Sequence, residues 1–119
     1  MTIFSWLLLG HLVGDFVLQN DWMAQGKRKG LITLPGMIHF IIYTCIIILA
    51  LVGMGLFAKS TLFAIGVLTL VFVSHWLIDA TDVVDAWMRF YGQRPVSIIR
   101  LAVDQTFHLL VLAGVALIW

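Results

Sequence analysis

Three of the four histidines stand four residues from an aspartate: His11 with Asp15, His75 with Asp79, and His108 with Asp104. Four residues is about one helical turn, so each pair puts an imidazole and a carboxylate on one helix face. All three pairs lie inside apolar stretches. A charged side chain at the centre of a bilayer costs roughly 2.5–3.5 kcal/mol on insertion scales. Three unpaired aspartates would oppose insertion by about 8–10 kcal/mol, and a shared polar or metal site is the natural offset. Imidazole and carboxylate together suit Zn, Mn, Fe or Mg, and helix bundles build such sites from inward-facing pairs.

The candidate metal ligands are His11, Asp15, His75, Asp79, Asp104 and His108. His39 joins them as a further ligand or as a donor that orients one, and Gln19, Gln105 and Arg100 stand beside the set. With His39 these groups suffice for two ions, or for one ion whose histidines are oriented by the remaining aspartates. The competing possibility is a bundle whose His and Asp groups hydrogen-bond one another across helices. Such bonds average only about 0.6 kcal/mol in membranes, a weak return for burying this many ionisable groups. Arg100, four residues before Asp104, could neutralise it or hold a phosphate.

The elements that must position these groups are four apolar helices. The chain has 119 residues, is 62% hydrophobic and 11% charged, and has a mean hydropathy of +1.08. Soluble domains carry about 25% charged residues, so this is the composition of an integral membrane protein. A net charge of +1 argues against a nucleic-acid partner. The single cysteine, Cys45, excludes an intramolecular disulfide and a thiolate-rich metal site. The expected architecture is an all-α, four-helix membrane bundle of two helical hairpins, a single domain over 1–119, with helices at about 2–19, 35–57, 61–88 and 96–118. The first apolar stretch lacks a basic leader and a cleavage site and reads as a membrane helix, not a signal peptide.

Lys27, Arg28 and Lys29 fall in the first connector and Arg89 and Arg94 in the third, with only Lys59 on the other side. The positive-inside rule then places those connectors in the cytoplasm and both termini outside it. At ~1.5 Å rise per residue, the His and Asp groups of all four helices fall in one layer in the cytoplasmic half of the membrane. A weak repeat is visible as well: His11-x3-Asp15 leads to Asp21 as His75-x3-Asp79 leads to Asp85. Two hairpins in the same orientation would place a shared site between them. Gly10 and Gly14 allow close helix approach beside the first pair. The Lys27–Lys29 run reads as a topology determinant, and Asp82 and Asp85 as solvated interfacial charges.

Gly10-His11-Leu12-Val13-Gly14-Asp15-Phe16-Val17-Leu18-Gln19, followed by Asp21-Trp22-Met23, resembles the signature of small bacterial inner-membrane proteins in domain-of-unknown-function family 3307. Ser74-His75-Trp76-Leu77-Ile78-Asp79 and Asp104-Gln105-x2-His108 resemble its other two motifs. The resemblance implies a fold, a topology and a site, but no reaction. In its His and Asp patterning the chain is also loosely similar to predicted membrane-bound metal-dependent hydrolases. The leading expectation is a divalent-metal protein, a hydrolase of a lipid or lipid-linked phosphate near the cytoplasmic leaflet. The alternatives are a metal or proton transport component, and a non-catalytic small subunit of a larger membrane complex or homo-oligomer, with histidines as haem or pigment ligands.

Overall fold

The computed structural model describes residues 1–119, and the chain is all-α. The helices are α1 (Ile3–Leu12), α2 (Asp21–Gly26), α3 (Leu34–Gly53), α4 (Thr61–Ala80), α5 (Val83–Tyr91) and α6 (Ser97–Ile118). Four helix starts are fixed by side-chain caps. Thr2, Asn20, Thr33 and Ser60 each accept a hydrogen bond from the backbone N–H three residues on, at Ser5, Met23, Gly36 and Phe63. Pro35 adds a fixed φ where α3 needs no N–H.

The long helices contact one another in a ring: α1 packs on α3 and α6, α3 on α4, and α4 on α6. Short α2 lies against α3, and α5 against α6 and α4. The buried apolar cluster joins Leu7, Tyr43, Ile47, Leu51, Leu56, Val67, Val71, Leu112 and Val115. Beyond it, Lys59 Nζ donates to the Trp119 carbonyl and sits over the Phe63 and Trp119 rings. Three helices are long and apolar enough to cross a membrane, α3, α4 and α6. Their 20, 20 and 22 residues give lengths of about 30 Å or slightly more. Ile3–Val17 is a shorter apolar segment.

Three departures from the expected helices matter for the site. The first helix widens after Leu12 into a π turn, Val13–Val17, in which Leu18 N–H bonds the Val13 carbonyl. A π turn inserts an extra residue and rotates the side chains beyond it about the helix axis. Here it re-aims Asp15 relative to His11. The helix expected over 61–88 is two helices. Thr81 turns extended, its hydroxyl accepts from Val83 N–H, and α5 folds back so that Val84 and Met88 pack on the α6 side. Finally, α3 ends at Gly53, where Gly55 takes a left-handed φ of 88° that turns the chain before Leu56–Ala58.

Candidate metal centre

Four helices deliver polar side chains to one buried spot. Asp15 comes from the π turn, His39 from the second turn of α3, His75 and Asp79 from the last turns of α4, and Asp104 and His108 from α6. His39, His75 and Asp79 are at most 5% exposed, as is Asp15. His39 Nε2 lies 2.9 Å from His75 Nε2, 3.3 Å from Asp15 Oδ1 and 3.3 Å from Asp79 Oδ2. His75 Nε2 lies 3.5 Å from Asp15 Oδ1 and 3.2 Å from Asp79 Oδ2. These are five of the six edges of a tetrahedron. An ion bound at about 2.0–2.1 Å by four ligands separates them by about 3.3 Å. One ligand atom from each of Asp15, His39, His75 and Asp79 lies within 4.8 Å of all the others, and a second such group joins Asp79, Asp104 and His108.

Buried polar atoms without partners mark the same place. Asp15 Oδ1 accepts no hydrogen bond, and His108 Nε2 has none either. A buried group left unsatisfied costs about 1–3 kcal/mol. Two such atoms beside two close imidazole nitrogens are what a cation would satisfy.

His39 thus stands within the set, its Nε2 at 2.9 to 3.3 Å from His75, Asp15 and Asp79. His11 departs in the opposite direction. Tyr43 donates its hydroxyl proton to His11 Nδ1 at 3.1 Å, and His11 Nε2 donates to Gln105 Oε1 at 2.7 Å. Both ring nitrogens thereby have hydrogen-bond partners, and His11 stands beside the two close donor groups, not among them. Its Nδ1 lies 3.8 Å from Asp15 Oδ2, as far as His108 Nδ1 lies from Asp104 Oδ2 at 3.9 Å on the regular helix α6. Gln105 passes the bonding on, its amide Nε2 donating to Asp15 Oδ2 at 3.3 Å and Asp104 Oδ2 at 3.1 Å. His11 and Gln105 therefore hold two carboxylates in place. Tyr43 also stacks on His75, with ring centroids 3.7 Å apart.

Arg100 pairs with Asp85 and not with Asp104. It donates to Asp85 Oδ1 at 2.9 Å, because α5 folds back beside α6. That hydrogen bond holds the half-buried Asp85 carboxyl below its ordinary pKa. Arg28 lies 3.6 Å from the same carboxylate. Asp82 stays exposed with Arg89.

Lys27 belongs to the site as well, beyond the topology role its basic run suggests. Its Nζ donates to Asp79 Oδ2 at 2.7 Å and lies 3.5 Å from His39 Nε2, with the side chain only 10% exposed. The glycines near it carry the better signal. A Cβ on Gly26 would fall 2.0 Å from Pro35 Cγ, and one on Gly36 3.2 Å from the Lys27 Cα. The connector is pressed onto the start of α3, which turns Lys27 inward. Gly14 is equally tight, its absent Cβ 2.8 Å from the Tyr43 ring. With all three carboxylates ionised, Asp15, Asp79 and Asp104 exceed the Lys27 ammonium by two negative charges, an excess that favours bound cation. A cleft of about 160 Å³ opens onto the set, lined by Asp79, Asp104, Lys27, Arg28, Arg100 and Gln105 among others. Gln19 lines it too, with its Oε1 buried and unpartnered.

Residues 3–119 match the family described as a protein of unknown function, DUF3307, and the chain belongs to that family. No curated protein and no solved structure matches it.

Proposed function

We propose that this DUF3307 member is a membrane-embedded metal protein, a four-helix bundle in the bacterial cytoplasmic membrane with both termini outside. Asp15, His39, His75 and Asp79 hold a divalent ion. The observation that carries the reading is the near-tetrahedral spacing of their four donor atoms. The outward residues support the membrane setting, since Phe57, Leu62, Phe90 and Leu117 are large, apolar and exposed.

The reaction this site suits best is hydrolysis of a lipid or lipid-linked phosphate ester. A bound ion supplies a water of lowered pKa and polarises a phosphoryl oxygen. Four protein donors fill a tetrahedral ion, so catalysis requires an ion of higher coordination number, Mn, Fe or Mg, with open positions toward the cleft. Lys27, Arg28 and Arg100 line that cleft and give the positive charge a phosphate needs. One water is consumed, the phosphoester P–O bond breaks, and an alcohol and a phosphate are released. Transport fits less well, because Leu7, Ile47, Leu51, Val67 and Leu112 close the other half of the helices with apolar packing.

A second reading is favoured by Lys27: its ammonium on Asp79 could serve as the resident cation of a non-catalytic subunit in a larger membrane complex. The two readings part in one assay. Detergent-purified protein incubated with a long-chain alkyl phosphate in mixed micelles should release inorganic phosphate, stop with chelator and resume with added Mn2+. Absence of phosphate release from metal-loaded protein would remove the hydrolase reading.

A further inference from the structure

We infer that the centre binds two cations, with Asp79 bridging them and Asp104 and His108 completing a second site. This rests on the metal reading above and adds its nuclearity. His108 carries the inference. Its Nδ1 lies 2.9 Å from the backbone carbonyl of Asp104. A carbonyl only accepts, so a hydrogen is on Nδ1, which leaves Nε2 as the ring atom open to a metal. That Nε2 is buried in a residue 2% exposed, has no hydrogen-bond partner, and faces Asp79 Oδ1 at 3.6 Å. A cation held between this nitrogen and this carboxylate oxygen would satisfy both. Metal-bound histidines commonly donate their other ring N–H to a backbone carbonyl, as His108 does.

The two oxygens of Asp79 serve different neighbours. Oδ2 faces His39, His75 and Lys27, whereas Oδ1 faces His108. A carboxylate divided in this way is placed to bridge ions about 3.5–4 Å apart, the separation used in two-metal hydrolysis. Asp104 contributes the remaining carboxylate, held through Oδ2 by the Gln105 amide. Donor atoms of Asp79, Asp104 and His108 lie within 4.8 Å of one another. Asp79 Oδ1 is thus left free for the second ion even with Lys27 on Oδ2.

The test is Mn2+ titration of the full-length protein in detergent, read by bound metal per chain and by electron paramagnetic resonance. Wild type should take up two Mn2+ and show a spin-coupled pair in place of the six-line signal of isolated Mn2+. His108→Ala and the conservative Asp104→Asn should each bind one Mn2+, with the isolated signal. His75→Ala should lose the first ion. One Mn2+ in wild type, unchanged in His108→Ala, overturns the second site and leaves the first standing; that is also what an imidazolium paired with Asp79 would give. No stoichiometric Mn2+ in wild type overturns both. The wild-type stoichiometry and coupling need no variant to fold.

Discussion

The same helices build two opposite interiors. In the half toward Lys59 and Trp119, α1, α3, α4 and α6 meet through Leu7, Ile47, Leu51, Val67, Leu112 and Val115 with no polar atom to satisfy. In the half toward the Lys27 connector they meet through His39, His75, Asp15, Asp79 and His108, several of whose polar atoms lack partners. Tyr43 marks the border, its ring in the apolar cluster and stacked on His75, its hydroxyl on His11. Apolar packing holds the first half together, with Lys59 closing its end on Trp119. Packing cannot explain the second, where each ionisable group is costly to bury unless something binds there.

That contrast predicts that substitutions in the two halves separate cleanly. Asp79→Asn should have the largest effect, abolishing stoichiometric metal uptake and leaving the buried Lys27 ammonium without its partner. Breaking such a pair costs about 3–5 kcal/mol, measurable as a fall in the thermal midpoint in detergent. Gln105→Leu removes the amide that holds Asp15 and Asp104, and should weaken metal affinity about 10–100-fold, as loss of an outer partner typically does. Leu51→Ala should cost about 2–4 kcal/mol of stability by opening a cavity, with metal stoichiometry unchanged. Metal loss in that variant would show that the halves are not independent.

The smallest effect concerns Asp85. Its carboxyl is held below the ordinary value of 3.8 by Arg100. A depressed folded value means the contribution is present above the ordinary pKa and is lost as pH falls through the folded one. The pair is half exposed, so the contribution stays within about 1 kcal/mol. Asp85→Asn should flatten the decline in stability below about pH 4 and leave metal binding at neutral pH intact.

Helical character and the gathering of His and Asp groups were legible in the sequence because both come from period and cost: 3.6-residue spacing sets the face, and burial of charge demands a partner. The division of labour among those groups was not. His11-x3-Asp15 and His75-x3-Asp79 are the same pattern, yet His11 finds Tyr43 and Gln105 on other helices while His75 stays 3.2 Å from Asp79. His39 had no partner at helical spacing to decide between ligand and orienting donor, since its neighbours in the set come from other helices. Lys27 was hidden by Arg28 and Lys29, and only the close approach of Gly26 to Pro35 turns it inward. Arg100 was four residues from Asp104 but found Asp85, because the break at Thr81 brings α5 back beside α6.

Whether the polar half exists to hold metal is decided by elemental analysis of protein purified in detergent without chelator. At least one equivalent of a divalent transition metal or magnesium is expected in wild type, and its loss in a folded His75→Ala variant. Wild-type protein that is metal-free as purified and takes up no Zn2+, Mn2+, Fe2+ or Mg2+ on titration would contradict the metal centre, leaving Lys27 as the only cation the cluster needs.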